Sequence, residues 1–406
     1  MQLRTFGIAL TFLLTALSVS GGGARADGVV STTNTIFEEY GGPLHMSVIT
    51  PGVDARADMG DHVNIAAGYE ADIVSGASVA IVDAPSSAPD AISGATSLRD
   101  TRHVAHAHLT LRDETTSLRA GYVYGTEHDY RSQAFDLTAR TELYERNTIL
   151  EVSYARGFDS VCDISHPRDQ DVVEHRRLPS SEGCFVDGSD RVARDVSLQS
   201  FQGAWSQAWT SLFSTQLVLS TQIIDGFQSN PYRAVWLGRS AAQENHPEVR
   251  ARYAAALNLR FWIKPLRGAL QASVRGYRDT WDIRSVTAEL AYDQSIAAGL
   301  RLRVRGRWYT QTAAAFFSDD YSRMPRGQYF TGDRELSAMR TLTLGARLAW
   351  SVPTNDEGEV LGFLDSMDLV AKGDYLTFTF DGFHYGSAAI PNRHAIVGTF
   401  GLEAVF

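Results

Sequence analysis

Apolar and polar residues alternate with a period of two in many separate segments of this chain. Between Ile65 and Ile73, every second residue is Ile, Ala or Tyr, whereas the intervening set includes Glu70 and Asp72. A period of two with one apolar face is typical of a β-strand that is exposed to different surroundings on its two sides. Segments of about ten such residues that end in aromatic residues match the strands of a membrane-spanning barrel.

The same pattern recurs often enough to predict an all-β transmembrane antiparallel barrel of about sixteen strands. One segment, 194–205, changes phase between Leu198 and Phe201, which predicts a bulge or a misplaced boundary there. In the segment 367–381, Leu376, Phe378 and Phe380 are taken as the apolar outer face. The sixteen segments are 29–40, 44–54, 62–74, 99–111, 115–125, 130–140, 148–158, 194–205, 211–224, 249–260, 268–277, 284–294, 299–310, 337–350, 367–381 and 394–406.

The lengths of the connections fit an up-and-down barrel. The long connections 75–98, 159–193, 225–248 and 311–336 fall on one side if strands alternate in direction and the last strand ends in the periplasm. Short connections such as 112–114, 206–210 and 295–298 fall on the other side, and 351–366 is the exception. Long outer loops and short periplasmic turns are the asymmetry expected of outer-membrane barrels.

The two ends of the chain indicate export and membrane assembly. Residues 1–26 have the anatomy of a signal peptide: Arg4, an apolar run from Phe6 to Val19, and the small-residue site Ala24-Arg25-Ala26. We therefore expect a barrel over 27–406 in the bacterial outer membrane, with outer-membrane lipid around it. Phe406 ends an amphipathic strand and predicts a signal for the barrel assembly machinery. The alternative is a soluble exported all-β protein.

Net charge and cysteine content limit the partners and the chemistry that we expect of the chain. The net charge is −10, and an acidic exported chain is not expected to bind nucleic acid. In an oxidising compartment Cys162 and Cys184 are expected to form a disulfide that closes the outer loop 159–193, the alternative being a reactive or metal-binding thiol pair. Such a loop could fold into the lumen and constrict it, serve as a docking surface, or simply be stapled against proteolysis.

Arginine is concentrated on one predicted face in the second half of the chain. Arg301, Arg303, Arg305 and Arg307 alternate with apolar residues. Because Arg facing lipid near the midplane costs about 2–4 kcal/mol, this column is expected to face the lumen. The full set of predicted pore-lining residues is Arg250, Arg252, Arg260, Arg275, Arg301, Arg303, Arg305, Arg307, Arg347, Glu289 and Asp293.

Two interpretations of this arginine set remain open. One is a porin-like channel for passive diffusion of small solutes, including anionic ones, because charged rings govern what such pores pass. The other is a salt-bridge network that fills the lumen and braces the wall without conduction. Porin-like barrels of this size are often oligomeric, so an oligomer is also open.

Other groups of polar residues give weaker indications of metal binding or catalysis. His106 and His108 share a strand face and could chelate a metal, although a pair of imidazoles in a polar network is the alternative that we favour. Asp319-Asp320 and Asp365 with Asp368 are paired acids, interpreted as solvated rather than calcium-binding. No nucleophile elbow, phosphate-cradling loop or zinc motif occurs, so neither enzyme activity nor a cofactor is expected.

Several short motifs are spread over most of the chain before residue 351. They are Asp72-Ile-Val-Ser-Gly-Ala-Ser78, Leu98-Arg-Asp-Thr-Arg102, Asn230-Pro-Tyr-Arg233, Asn245-His-Pro-Glu-Val-Arg250 and Tyr329-Phe-Thr-Gly-Asp-Arg-Glu-Leu-Ser337. These motifs resemble a bacterial family of outer-membrane-type proteins of unknown function, and the resemblance implies a barrel without a reaction. It also implies an envelope redox context, so the alternative to a channel is a non-conducting scaffold that docks a small lipoprotein or a periplasmic redox partner.

The sequence Gly332 to Glu335 lies just before a long predicted strand at the outer rim. We expect it to fold the loop 311–336 by pairing Asp333 or Glu335 with an inward arginine.

Overall fold

The chain forms a closed antiparallel β-barrel of sixteen strands in a computed structural model. Strands β1 and β20 pair with each other from Val29↔Val405 to Tyr40↔His394, which closes the sheet. The signal segment 1–26 lies outside the described residues. The structure describes residues 28–40, 46–76, 98–163, 181–186, 191–231, 234–236, 241–321, 327–355, 358–385, 388–389 and 392–406.

Every segment predicted as a strand is a barrel strand, usually one to five residues longer at its ends. Two additional hairpins, β10–β11 and β18–β19, lie in outer loops. The strands are β1 Gly28–Tyr40, β2 Met46–Met59, β3 Val63–Gly76, β4 Leu98–Arg112, β5 Thr116–Thr126, β6 Tyr130–Leu143, β7 Thr148–Asp163, β8 Val192–Thr210, β9 Phe213–Gly226, β10 Ala234–Trp236, β11 Ala241–Gln243, β12 Val249–Ile263, β13 Gly268–Asp279, β14 Arg284–Ala297, β15 Leu300–Gln311, β16 Met339–Ser351, β17 Ser366–Phe380, β18 His384–Tyr385, β19 Ala388–Ala389 and β20 Arg393–Val405.

Of the two explanations for the phase change between Leu198 and Phe201, the bulge is wrong, whereas the boundary was indeed misplaced because the strand runs from Val192 to Thr210. Strand β8 pairs with β7 without interruption, and its only register shift against β9 lies between Ala208 and Thr210. The apolar residues change face instead: Leu198 lies opposite buried Ile224 on the inner face, whereas Phe201 packs on Tyr154 outside.

The phase predicted for β17 is also wrong. Leu376, Phe378 and Phe380 share the inner face with Asp374, which binds a lumen arginine. Phe380 is buried beneath the outer loops. Both errors have one physical cause: apolar side chains near the outer end of the barrel support folded loops instead of contacting lipid.

The outer face of the barrel carries a continuous exposed belt of aliphatic and aromatic side chains. Val152 is 64% exposed, Leu290 56% and Leu344 55%, although a soluble protein would bury such residues. Phe261 and Trp350 lie near the periplasmic ends of their strands, as in the aromatic girdles of membrane barrels. Closure pairs every strand edge, which lipid requires. The molecule is an outer-membrane barrel.

No helix in the described parts of the chain is long and apolar enough to cross a membrane.

The connection between β16 and β17, the long exception among the periplasmic turns, is folded. Its Val360 and Leu364 pair as an isolated bridge and form a small core with Ala404 of the last strand. Phe406 packs against this core, and its backbone N–H donates to the carbonyl of Gly28. The turn therefore secures the end of the chain to the start of the barrel.

The disulfide between Cys162 and Cys184 is formed, with a Cα–Cα distance of 5.3 Å. The described part of its loop rests on the neighbouring β5–β6 turn: Phe185 lies 4.5 Å from the guanidinium of Arg131, and its N–H faces the carbonyl of His128. These contacts place residues 181–186 over the rim of the wall, as expected of a stapled outer loop.

Candidate channel lumen

Strands β12 to β17 carry the predicted arginine set on a single face, which we call the arginine wall. The register places Arg303 beside Asp293 and Arg347, and Arg307 beside Glu289. The alternating residues Val304 and Trp308 are exposed on the opposite, apolar face. The wall comprises Arg250, Arg252, Arg260, Arg275, Arg301, Arg303, Arg305, Arg307, Arg347 and Lys372, with Asp279, Glu289, Asp293 and Asp374 among them.

Part of the arginine wall is held in place by carboxylates. Arg303 donates two hydrogen bonds to Asp293, at 2.7 and 3.0 Å. Arg305 donates to Asp374 at 2.9 Å and to Glu289 at 3.3 Å. Such charge-assisted pairs fix the guanidinium planes. The bracing interpretation therefore describes this part of the wall.

Another part of the wall has no carboxylate partner. Arg252, Arg260, Arg275, Arg301, Arg307 and Arg347 make no ion pair with any residue within the described ranges. Four of them are exposed to the interior, and Arg252 and Arg347 are half-buried. No described carboxylate therefore neutralises these guanidiniums.

Two cavities are bordered by arginines of this part of the wall. One of about 430 Å³ is bordered by Arg260, Gln216 and Asn258. The second, of about 280 Å³, lies near the periplasmic turns, where Arg260, Arg267, Arg301 and Arg303 surround a single Asp293. Both are polar recesses in which a small hydrated anion would meet several hydrogen-bond donors.

A glycine lies beneath the ion pair of Arg305 and Asp374. Gly345 is the register partner of both residues, and a Cβ atom on it would lie 1.9 Å from Asp374 Oδ1. The pair therefore closes across the middle strand only because that strand carries no side chain there.

On the opposite side of the barrel, histidine and aspartate also pair across a glycine of the strand between them. Gly68 lies between His106 and Asp54, and Gly121 lies between His108 and Asp136. His106 Nε2 is 2.7 Å from Asp54, and His108 Nε2 is 3.6 Å from Asp136. Each imidazole thus faces a carboxylate, and within the described ranges no three potential ligands are arranged to hold a metal ion.

The two sides of the lumen differ in charge. Strand β5 lies eight strands from β15 in the ring, and the inner face of β2 to β7 carries more acids than bases. The acids are Asp54, Asp58, Glu70, Asp72, Asp136, Glu142, Glu151, Asp159 and Asp163, and the bases are Arg56, Arg102, Arg112, Arg119 and Arg140. A solute in the lumen therefore lies between a basic wall and an acidic one.

The described parts of three outer connections fold together at the outer end of the barrel, and we call this assembly the outer cap. It comprises residues 227–231, 234–236, 241–248, 280–283, 312–321 and 327–338. Backbone hydrogen bonds join Asn245 to Phe330 in both directions. His246 packs edge-on against Trp281 and lies 5.3 Å from Phe316. The buried core of the cap explains why these loops are ordered.

The outer cap is tied to the seam where the barrel closes. Arg334 donates to Glu39 Oε1 at 3.2 Å, and Arg393 donates to the same oxygen at 2.6 Å. All three side chains are buried, and the Arg334 guanidinium lies 5.3 Å from the Phe380 ring. We call this group the seam latch. Arg334 therefore ties the loop to the barrel. Asp333 accepts a hydrogen bond from the Glu335 N–H, and the pairing of Asp333 or Glu335 with an inward arginine stays a prediction.

Sequence alternation placed every predicted pore-lining residue on the inner face but did not reveal its partners. Asp279 was missed, although it accepts from Arg250 at 2.9 Å and closes the β13–β14 turn. Lys372 and Asp374 were missed because the phase of β17 was misjudged. The aromatic residues in the loops, Trp281 and Phe316 among them, were the signal that could have revealed the cap.

A family profile matches residues 16–361, which is most of the sequence, and its description is "Protein of unknown function (DUF3570)". The chain belongs to this family. A search of curated proteins found no match.

Three solved structures that match over most of this chain have TM-scores from 0.41 to 0.49 and identities from 7% to 12%. The "Bacterial polysaccharide outer membrane secretin" has a TM-score of 0.49 at 12% identity and covers 95% of this chain and 100% of its own. Pseudomonas aeruginosa OprD has a TM-score of 0.43 at 7% identity, over 94% and 96%. P. aeruginosa OccK2 in complex with glucuronate has a TM-score of 0.41 at 10% identity, over 93% and 98%.

Proposed function

We propose that this barrel is a passive outer-membrane channel that admits small solutes and favours anions. The observation that carries the proposal is the group of lumen arginines without a carboxylate partner among the described residues, Arg252, Arg260, Arg275, Arg301, Arg307 and Arg347. A barrel of this size is wide enough for a water-filled lumen, and low-dielectric walls strengthen the field of the charges that line it.

The ion-paired arginines support the same function in a different way. Arg303 and Arg305 are held by Asp293 and Asp374, so their fixed guanidiniums keep the wall in shape. The unpaired arginines lie directly beside them in the register. A solute carboxylate or phosphate would therefore replace water at donors that are already oriented, which favours anions over cations of equal size.

The ion selectivity of a double variant tests the proposal. In a planar bilayer under a KCl gradient, we expect the wild-type reversal potential to indicate preference for chloride. Arg301→Gln with Arg307→Gln should lower the chloride-to-potassium permeability ratio about two-fold or more, because two unpaired charges leave the lumen. The matched control, Arg131→Gln with Arg156→Gln, removes two charges from the outer face and should leave the ratio unchanged. A cation-selective wild-type channel would contradict the proposal.

A second candidate function is a non-conducting scaffold that docks a lipoprotein or a periplasmic redox partner. One observation favours it: the periplasmic β16–β17 turn presents Leu361, 74% exposed, and Phe363, 53% exposed. Exposed apolar residues at such a turn are typical of a contact surface. A protein that never conducts, but loses a co-purified periplasmic partner on Leu361→Ser with Phe363→Ser, would favour the scaffold.

A further inference from the structure

Two arginines face each other on the lipid side of the barrel at its outer end. Arg278 of β13 and Arg284 of β14 are register partners that close the β13–β14 hairpin. Tyr253 of β12 is the next residue in the same row, and the Arg278 guanidinium lies 5.6 Å from its ring. Both arginines are exposed. Like charges directly opposite each other in a sheet are unfavourable unless an anion lies between them.

No protein carboxylate supplies that anion. Neither Arg278 nor Arg284 forms an ion pair with a residue of the described ranges. Arg340 also faces outward, on β16, two strands from β14. It instead donates two hydrogen bonds, of 2.6 and 2.7 Å, to Asp381. The barrel therefore neutralises one rim arginine internally and leaves the opposed pair free for an external partner.

The position of the pair defines the surroundings of that partner. Arg278 is the last residue but one of β13, a strand of 12 residues, and about 9–11 residues of a tilted strand cross the hydrocarbon core. The guanidiniums consequently lie at the level of lipid headgroups. Val274 and Leu290, both more than half exposed, belong to the apolar belt below them.

Gly276 lies on the lipid-facing side, two residues before Arg278 in β13. Its outward row consists of Ala255, Gly276 and Val286, and a Cβ atom on Gly276 would meet nothing within 4 Å. An acyl chain can therefore lie against the wall at this row. The surface thus combines two fork-shaped anion donors with an apolar stretch of wall on their membrane side.

We propose that Arg278 and Arg284 bind the phosphate of an outer-leaflet lipid headgroup, with an acyl chain of the same molecule lying over Gly276. A guanidinium can hold two phosphate oxygens at once, and two opposed guanidiniums can enclose one phosphate. The bound phosphate also removes the repulsion between the two arginines, so the lipid stabilises this hairpin. The site lies outside the lumen and does not depend on conduction.

Lipid titration of the intact barrel tests this site. The purified protein in detergent would be titrated with diphosphorylated lipid A and with the same lipid lacking phosphate, and bound lipid would be counted by native mass spectrometry. We expect the wild type to bind the phosphorylated lipid about tenfold more tightly. Arg278→Gln with Arg284→Gln should abolish that preference and retain the weak binding of the dephosphorylated lipid.

Two controls keep the outcome unambiguous. Arg340→Gln with Arg156→Gln removes two other outward arginines and should retain the preference, and circular dichroism establishes that every variant is folded. Inorganic phosphate in the millimolar range should not displace the lipid. Equal binding of both lipids by the wild type, unchanged preference in the Arg278 and Arg284 variant, or displacement by inorganic phosphate would each overturn the proposal.

Discussion

At the scale of single residues, the lumen depends on close approaches that only glycine permits. Arg305 reaches Asp374 across Gly345, and the two histidine–aspartate pairs cross Gly68 and Gly121 in the same way. Alternation in the sequence indicates which face a residue occupies. It cannot show that a residue two strands away closes a pair over a glycine, because that contact depends on the register of three strands.

Gly345→Ala should separate Arg305 from Asp374. The new methyl group would lie 1.9 Å from Asp374 Oδ1 unless the carboxylate moves. We expect a loss of about 1–3 kcal/mol in the free energy of unfolding, measured by urea titration in detergent. Gly373→Ala is the matched control because its Cβ would meet nothing within 4 Å, and it should be neutral. Equal effects of the two substitutions would show that the pair does not restrain the wall.

Glu39→Gln should release the seam latch. The substitution removes the charged carboxylate that Arg334 and Arg393 share, and Arg334 stays buried without it. Removing one partner of a buried ion pair costs about 3–5 kcal/mol, so the loop 312–338 should become more sensitive to protease before the barrel unfolds. Glu114→Gln in an exposed periplasmic turn is the control. Unchanged cleavage of the loop in the Glu39 variant would contradict the role of the latch.

At the scale of elements, all sixteen strands could be predicted because each crossing segment repeats the same alternation. The errors lie at the outer end. In β8 and β17, Leu198 and Phe380 face inward to support loops, so their apolar character was attributed to the wrong face. The hairpin β10–β11 is three residues per strand and too short to show a period.

The disulfide should protect the outer loop. Cys162 and Cys184 are 22 residues apart, and Cys162 is fully buried. Replacing both by Ser should lower stability by about 3 kcal/mol in the chain-entropy model. The loop 164–191 should then be cleaved by added protease without reductant, whereas the wild type should need reductant for the same cleavage. A double variant as resistant as the oxidised wild type would show that Phe185 and Arg131 alone hold the loop.

The last residue should affect assembly and local packing separately. Phe406 packs against Val360 and Leu364 of the β16–β17 turn. Phe406→Ala should lower the yield of heat-modifiable folded barrel in outer membranes, because it removes the predicted assembly signal. Refolding of the purified variant in detergent measures the packing contribution alone. A normal yield in membranes would contradict the predicted signal.

At the scale of the whole molecule, the barrel separates three environments. Lipid meets the exposed apolar belt, the lumen lies between the arginine wall and an acidic wall, and the outer cap lies at the outer end of the barrel. A cavity of about 560 Å³ beneath the cap is lined by Arg102, Tyr130, His246 and Glu335, so residues of the cap and of the far wall face a common space. The membrane location and the basic face could be inferred from alternation. Alternation does not predict the cap, because loop–loop contacts follow no period; the aromatic residues of the loops are its only trace in the sequence that we identify.

The most direct test of an open, arginine-lined channel is the single-channel current of the purified wild-type barrel in a planar bilayer. We expect stable conductance steps whose reversal potential in a KCl gradient favours chloride. A barrel shown by heat-modifiability to be folded and inserted, but passing no current at any voltage, would contradict the channel.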